Sequence, residues 1–214
     1  MRVAERWPRW AGVVAVALWI VSVLSSSGAP GENASEAEYL AYIQESADRI
    51  ILGGSVFMLG CVAFLCFAVV LRERLAAAEG GSRMLSNLAF LGAAVVGAFM
   101  MLTPGPEIAA AITAEEQEVS TSAAAAMRML PEAFLVAAAL SAILLMLGSG
   151  LVALRTRVFP KAWAWFSLLL VPLLVIPQIG WAALLLGLPV WVLVTTVFLV
   201  RRPGTEPMTA VGEP

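Results

Sequence analysis

The chain has 214 residues, of which 61% are hydrophobic and 13% are charged, and its formal net charge is −2. Soluble domains carry about 25% charged residues, so this composition excludes a domain that folds in water alone. It indicates an integral membrane protein, for which the bilayer is the solvent. Histidine is absent, which removes the commonest general base and metal ligand from any functional site.

Six apolar segments predict membrane-spanning helices, because a backbone in hydrocarbon has to satisfy its own hydrogen bonds. In chain order they are Trp10–Ser26, Ile50–Leu71, Leu85–Leu102, Glu132–Leu151, Ala162–Pro177 and Trp181–Val200. The sequence therefore predicts an all-α fold: one polytopic transmembrane bundle of six spans over residues 1–202. A disordered cytoplasmic tail is predicted over residues 203–214.

The first segment has an alternative interpretation. Residues 1–27 hold a basic start, a short apolar stretch and small residues, which is the order found in a signal peptide. Cleavage would leave five spans and a mature N-terminus outside the cell. No clear A-x-A cleavage site follows, which favours a retained anchor, and the alternative stays open.

Two connecting segments are predicted outside the membrane. In the first, Ser35 and Glu38 form a capping box that predicts a helix start at Ser35. We expect this helix to be a solvated connection, with Leu40 and Ile43 near the membrane surface. The second, residues 104–130, is Ala-rich with a break at residues 120–122. This segment also contains Glu115, Glu116 and Glu118. We interpret these three carboxylates as a solvated face rather than a divalent-cation site.

The stretch from Lys161 to Val200 is predicted to be two crossings joined by a turn. Forty helical residues would measure about 60 Å, twice the thickness of the hydrocarbon core. Residues 177–180 supply the break, since proline and glycine interrupt helices most strongly. Arginine or lysine flanks both ends of the stretch, so both ends are predicted on the cytoplasmic side.

The enrichment of arginine and lysine in cytoplasmic segments also predicts that both termini are cytoplasmic. In that orientation the inner segments hold eleven of the thirteen basic residues, and the outer segments hold ten of the fifteen acidic ones. Tryptophan should mark the interfaces. Trp7, Trp10, Trp163 and Trp165 are assigned to the cytoplasmic interface and Trp181 to the outer one, with Trp19 and Trp191 as packing residues.

Small residues four apart on the third and fourth spans let helix backbones approach closely. The pairs are Ala93/Gly97, Ala94/Ala98, Ala137/Ser141 and Ala138/Ala142. We interpret them as packing within the chain, with a dimer face as the alternative.

Ionisable groups inside a membrane mark function, and the predicted spans hold almost none. Glu132, after Pro131, is interpreted as a first-turn charge or as a residue of a water-filled vestibule. With Gln178 and Trp181 it is the candidate for an outer mouth. A serine protease of the rhomboid type would need a histidine, and no H-E-x-x-H, Walker or dinucleotide-binding motif occurs. No catalytic residue, metal or cofactor is therefore predicted.

The C-terminal half contains two stretches, "LRTRVFPKAWAWFSLLLVPLLV" and "GWAALLLGLPVWVLVTTVFLVRR", in which arginine, proline and tryptophan interrupt apolar runs. It resembles the ending of a group of actinobacterial multi-pass proteins grouped as a domain of unknown function. "FMLGCVAFLCFAVVLRERLAAAEGG" is similar to their second span and basic loop. The resemblance implies a six-span bacterial membrane protein and brings no catalytic residues with it.

These observations predict a non-enzymatic protein of the bacterial plasma membrane with an accessory, sensory or structural role. The alternative is a transporter or channel subunit for a small or apolar solute. The lipid bilayer is its predicted surrounding partner, together with a membrane-protein partner or a second copy of the chain. Nucleic acid is not predicted as a partner.

Overall fold

The computed structural model describes residues 7–25, 28, 30–31, 34–116 and 121–201. Within these residues every regular element is helical. In chain order the elements are α1 (Trp7–Ser25), α2 (Glu36–Glu79), α3 (Met84–Leu102), α4 (Gly105–Glu116), α5 (Thr121–Thr156), α6 (Lys161–Val175), α7 (Pro177–Ala182), a π-helix (Ala183–Gly187) and α8 (Leu188–Arg201).

Four helical stretches of the described residues are long and apolar enough to cross a membrane: Ala37–Glu79, Met84–Thr113, Met129–Thr156 and Ile179–Arg201. Two shorter apolar helices accompany them, Trp10–Ser25 and Lys161–Val175. The all-helical class is therefore confirmed, and several apolar helices are what a membrane protein needs. Six crossings and the orientation of the termini remain predictions, and the predicted tail lies outside the described residues.

Successive apolar helices run antiparallel. A Cβ placed on Gly12 near the start of α1 would meet Phe67 late in α2, and one on Gly60 would meet Trp19 late in α1. Helices α3 and α5 are also antiparallel, since Gly92 packs on Leu145 and Gly148 packs on Ala89. At Gly92 a Cβ would lie 2.5 Å from the Leu145 nitrogen. Only glycine permits such a close approach of two backbones.

The predicted small-residue pairs pack largely inside this chain. Ala93, Ala138 and Ala142 are fully buried, and Gly97 packs on Leu65 of α2. Ala98 is exposed. The interpretation as packing within the chain is confirmed for the four buried residues.

The antiparallel order sorts charge to the two ends of the bundle. The basic end holds the connections α2–α3 and α5–α6, and its cationic residues are Arg72, Arg74, Arg83, Arg155, Arg157, Lys161 and Arg201. The acidic end holds α4 and the connection α1–α2, and its exposed carboxylates include Glu38, Glu45, Asp48, Glu107 and Glu132.

The α2–α3 connection at the basic end is tied by side chains. Glu79 accepts hydrogen bonds from the backbone N–H groups of Leu85 (3.0 Å) and Ser86 (2.8 Å), and so caps the start of α3. Arg72 donates twice to the side-chain oxygen of Asn87, at 3.0 and 2.9 Å. The glycines at positions 80 and 81 have positive φ angles of 62° and 46°, a conformation that glycine adopts without a Cβ penalty.

At the acidic end the structure corrects the predicted first connection. The capping box is confirmed, because the Glu38 carboxylate accepts from the Ser35 N–H at 2.8 Å and the Glu38 N–H donates to the Ser35 hydroxyl. The helix then continues without a break into the second apolar segment. One of its faces is buried against α4, and Ile43 is only 1% exposed. This acidic-end cluster comprises Tyr39, Ile43, Ala47, Ile50, Ala110 and Ala111.

Other predicted boundaries shift for identifiable reasons. Pro131 does not begin a helix, because α5 starts at Thr121 and contains it. The stretch from Lys161 to Val200 is indeed two antiparallel helices. Its break lies at Ile176, whose backbone is extended (φ −83°, ψ 109°). The second helix begins at Pro177, four residues before the predicted start, because proline suits the first helical position.

Candidate functional site

A cleft of about 340 Å³ opens between α1, α2, α3 and the π-helix. One wall is a face of α1 formed by Val16, Trp19, Ile20, Val23 and Leu24. These residues recur at intervals of three and four, so they share one side of the helix. The other lining residues are Phe57, Met100, Leu184, Leu185, Leu186 and Pro189. Every lining side chain is therefore apolar or aromatic.

The wall opposite α1 is the π-helix, a rare form that adds a residue to a turn and is frequent at functional sites. Leu184 is buried, whereas Leu186 is 73% exposed. Pro189 accounts for the irregular turn. It has no N–H to donate to the Leu185 carbonyl, and in an α-helix its ring would collide with that carbonyl.

Trp19 forms the inner surface of the cleft and is only 4% exposed. Its ring centroid lies 6.2 Å from that of Phe57 and 5.7 Å from that of Phe64. A Cβ on Gly60 would lie 2.8 Å from the indole nitrogen, so the N–H faces α2. This N–H has no hydrogen-bond partner among the described residues.

A second aromatic group joins α6 to α8 by reciprocal hydrogen bonds. The Trp163 indole donates to the Thr195 hydroxyl at 2.9 Å, and the Trp191 indole donates to the Ser167 hydroxyl at 2.8 Å. The two ring centroids are 5.4 Å apart. Each hydroxyl in turn donates to the carbonyl of the tryptophan four residues earlier on its own helix. All four residues are thereby satisfied inside the bundle.

This arrangement tests the predicted roles of the tryptophans. Trp191 and Trp19 are buried packing residues, as expected, and Trp10, Trp165 and Trp181 are about half exposed. Trp163 was wrongly assigned to an interface, because it is only 4% exposed. The sequence did carry a signal for this pair. Tryptophan is followed four residues later by a hydroxyl residue on both helices.

Apart from the buried tryptophans, the buried polar residues that the structure describes are serines and threonines, and none of them is charged: Ser22, Ser46, Ser86, Ser149, Ser167, Thr195 and Thr196. Ser149 and Thr196 donate to carbonyls of their own helices. The described residues contain no group of three histidine, cysteine, aspartate or glutamate side chains that could hold a metal ion. The described interior thus offers neither a charged relay nor a metal centre.

The residues predicted for an outer mouth lie elsewhere at the acidic end. Trp181 is 46% exposed and lines a small pocket of about 30 Å³ with Val136 and Gly180. Glu132 is exposed and precedes Val136 by one turn of α5. The side chain of Gln178 lies outside the described residues. Neither Glu132 nor Trp181 lines the cleft, so their role as a mouth stays a prediction.

Sequence reasoning missed the cleft for a physical reason. Apart from Arg9 near its start and Ser22 and Ser25 near its end, α1 is apolar on all sides. The stripe from Val16 to Leu24 therefore has no opposite polar face from which the sequence could distinguish it. A comparison with known protein families, curated proteins and solved structures finds no match for this chain. The resemblance to actinobacterial membrane proteins therefore stays a prediction.

Proposed function

We propose that this protein is a non-enzymatic component of the bacterial plasma membrane, accessory or sensory in role, that binds a hydrophobic molecule in the cleft. The observation that carries this proposal is the cleft itself. Its volume of about 340 Å³ falls in the range of small-molecule sites, about 300 to 1,000 Å³, and such sites are mainly apolar and largely pre-formed.

The chemistry of the surrounding bundle supports binding over catalysis. An enzyme site needs a nucleophile, a general base or a polarising group. The cleft is lined by hydrocarbon side chains, two aromatic rings and one thioether. The buried hydroxyls of Thr195 and Ser167 do not line the cleft and are engaged in contacts between α6 and α8. An occupant would therefore be held by shape and hydrophobic burial.

The orientation that we propose places the basic end in the cytoplasm, with both termini there. The positive-inside rule supports it, because cytoplasmic segments are enriched in arginine and lysine. The cleft then lies in the outer half of the bundle, and six helices cross the membrane. Trp10–Ser25 and Lys161–Val175 are short, and such helices are accommodated by local thinning of the bilayer.

Native mass spectrometry of the protein released from mild detergent tests this function. We expect an added mass of lipid or small-molecule size that survives collisional activation. Ile20→Trp, which fills the cleft from α1, should remove it. Val21→Trp is the matched control, because Val21 is exposed to a similar extent (51% against 54%) and does not line the cleft. A wild-type protein that carries no added mass would contradict the proposal.

A second candidate is a transporter or channel subunit for a small or apolar solute. The pocket beside Trp181 favours it, because Glu132 lies one helical turn away at the same end of the bundle. Solute flux in proteoliposomes should then change in Glu132→Gln. Flux equal to that of empty liposomes would exclude this candidate and leave the binding role in place.

A further inference from the structure

We propose that the occupant of the cleft is the hydrocarbon chain of a membrane lipid, which enters sideways from the leaflet at the acidic end. This inference rests on the proposed function and names the chemical class of its ligand. It concerns the chain of the lipid and leaves the headgroup outside the cleft.

The position of the lining residues sets the depth of the cleft. Val16–Leu24 is the last part of α1 before its end at Ser25. Met100 lies two residues before the end of α3, and the π-helix immediately precedes α8. All three places lie in the half of the bundle nearest the acidic end. The cleft is thus level with the hydrocarbon of one leaflet.

The cleft opens on the lateral surface of the bundle. Its rim is formed by side chains of both walls, and Val23 and Leu24 are each 67% exposed while Leu186 is 73% exposed. Large aliphatic side chains at this depth face lipid tails. An unfilled cleft would forfeit dispersion contacts with its lining atoms. The bilayer supplies hydrocarbon chains directly at this opening.

The lining selects a chain and not a headgroup. Trp19 carries the one N–H donor among the lining side chains, and its indole nitrogen is buried beside Gly60 rather than exposed in the cleft. A phosphate, sugar or ammonium group would lose its hydration there without gaining a partner, which is costly. The volume of the cleft is near the lower end of the range for ligand sites. It suits one hydrocarbon chain and is too small for a whole lipid molecule.

Photolabelling tests this inference in vesicles of phosphatidylcholine in which a small fraction of the lipid carries a diazirine in one acyl chain. Cross-links are mapped to peptides by mass spectrometry as the probe fraction is raised. We expect labelling of the α1 and π-helix peptides to saturate at a low probe fraction. Labelling of the lipid-facing residues elsewhere should rise in proportion to the probe.

Variants on both walls link the saturable labelling to the cleft. Val23→Trp on α1 and Leu186→Trp on the π-helix should each abolish it. Val21→Trp, on the same helix but outside the cleft, should retain it. Both cleft positions are exposed, so the substitutions leave the buried packing intact. Equal loss in Val21→Trp, or unchanged labelling in both cleft variants, would overturn the assignment.

A second probe separates this inference from the function on which it rests. The probe is a small apolar diazirine without a headgroup, added to unlabelled phosphatidylcholine vesicles. Saturable labelling of the cleft by this probe, together with none by the lipid probe, would overturn the lipid assignment and support binding of a free hydrophobic molecule. No saturable labelling by either probe would overturn both.

Discussion

The residues that hold α6 against α8 are two tryptophans and two hydroxyls, bonded crosswise. The Trp191 N–H is fully buried and donates to Ser167, which itself donates to the Trp163 carbonyl. The Ser167 hydroxyl is therefore used both as a donor and as an acceptor at the contact between α6 and α8. Removal of the Ser167 hydroxyl would leave the buried Trp191 N–H without a hydrogen-bond partner. An unsatisfied buried donor costs more free energy of folding than the loss of an average hydrogen bond.

We predict that Ser167→Ala lowers the free energy of unfolding by about 1 to 3 kcal/mol. Ser141→Ala is the control, because the Ser141 hydroxyl bonds only to the Ala137 carbonyl of its own helix, and its effect should stay within about 0.5 kcal/mol. Reversible unfolding in a detergent titration measures both. Equal losses in the two variants would show that the crosswise bonds contribute nothing specific.

At the scale of elements, the π-helix is the one that shapes the cleft. Its five residues separate α7 from α8, and Pro189 follows two residues after its end. We expect an α-helix in this region to have a straighter backbone and to lie closer to α1. The proline thus interrupts regular α-helical hydrogen bonding, and the resulting π-helix presents leucine side chains toward α1.

We predict that Pro189→Ala restores regular α-helical hydrogen bonding, narrows the cleft and lowers the occupancy of the bound hydrophobic mass. The unfolding free energy should rise at the same time, by up to about 3 kcal/mol. Pro172→Ala, inside α6, should stabilise the protein without reducing occupancy. Native mass spectrometry and unfolding together measure the pair. Full occupancy in Pro189→Ala would show that the π-helix does not form the site.

At the scale of the whole molecule, the sorting of charge between the two ends predicts its orientation. A membrane-impermeant maleimide added to intact cells should label Ala37→Cys at the acidic end and leave Ser82→Cys at the basic end unlabelled. The native Cys61 and Cys66 lie within the second apolar segment, so the unmodified protein is the control. Labelling of Ser82→Cys in intact cells would reverse the proposed orientation.

Much of this architecture was predictable from the sequence, because hydrophobic length and charged flanks act locally. The capping box at Ser35 follows from such local rules. A break beside Pro177 does too, although it was predicted over residues 177–180 and lies at Ile176. The burial of Ile43 against α4 does not, because it depends on a pairing of two segments more than fifty residues apart. The cleft depends likewise on how α1 meets the π-helix, which no apolar pattern encodes.

A density map of the protein in phosphatidylcholine nanodiscs would show whether a membrane lipid chain occupies the hydrophobic cleft. We predict elongated density between Trp19 and the π-helix, continuous with the surrounding leaflet at Val23 and Leu186. Ile20→Trp should remove this density and Val21→Trp should retain it. A map in which α1 closes against the π-helix, with no space between them, would contradict the account.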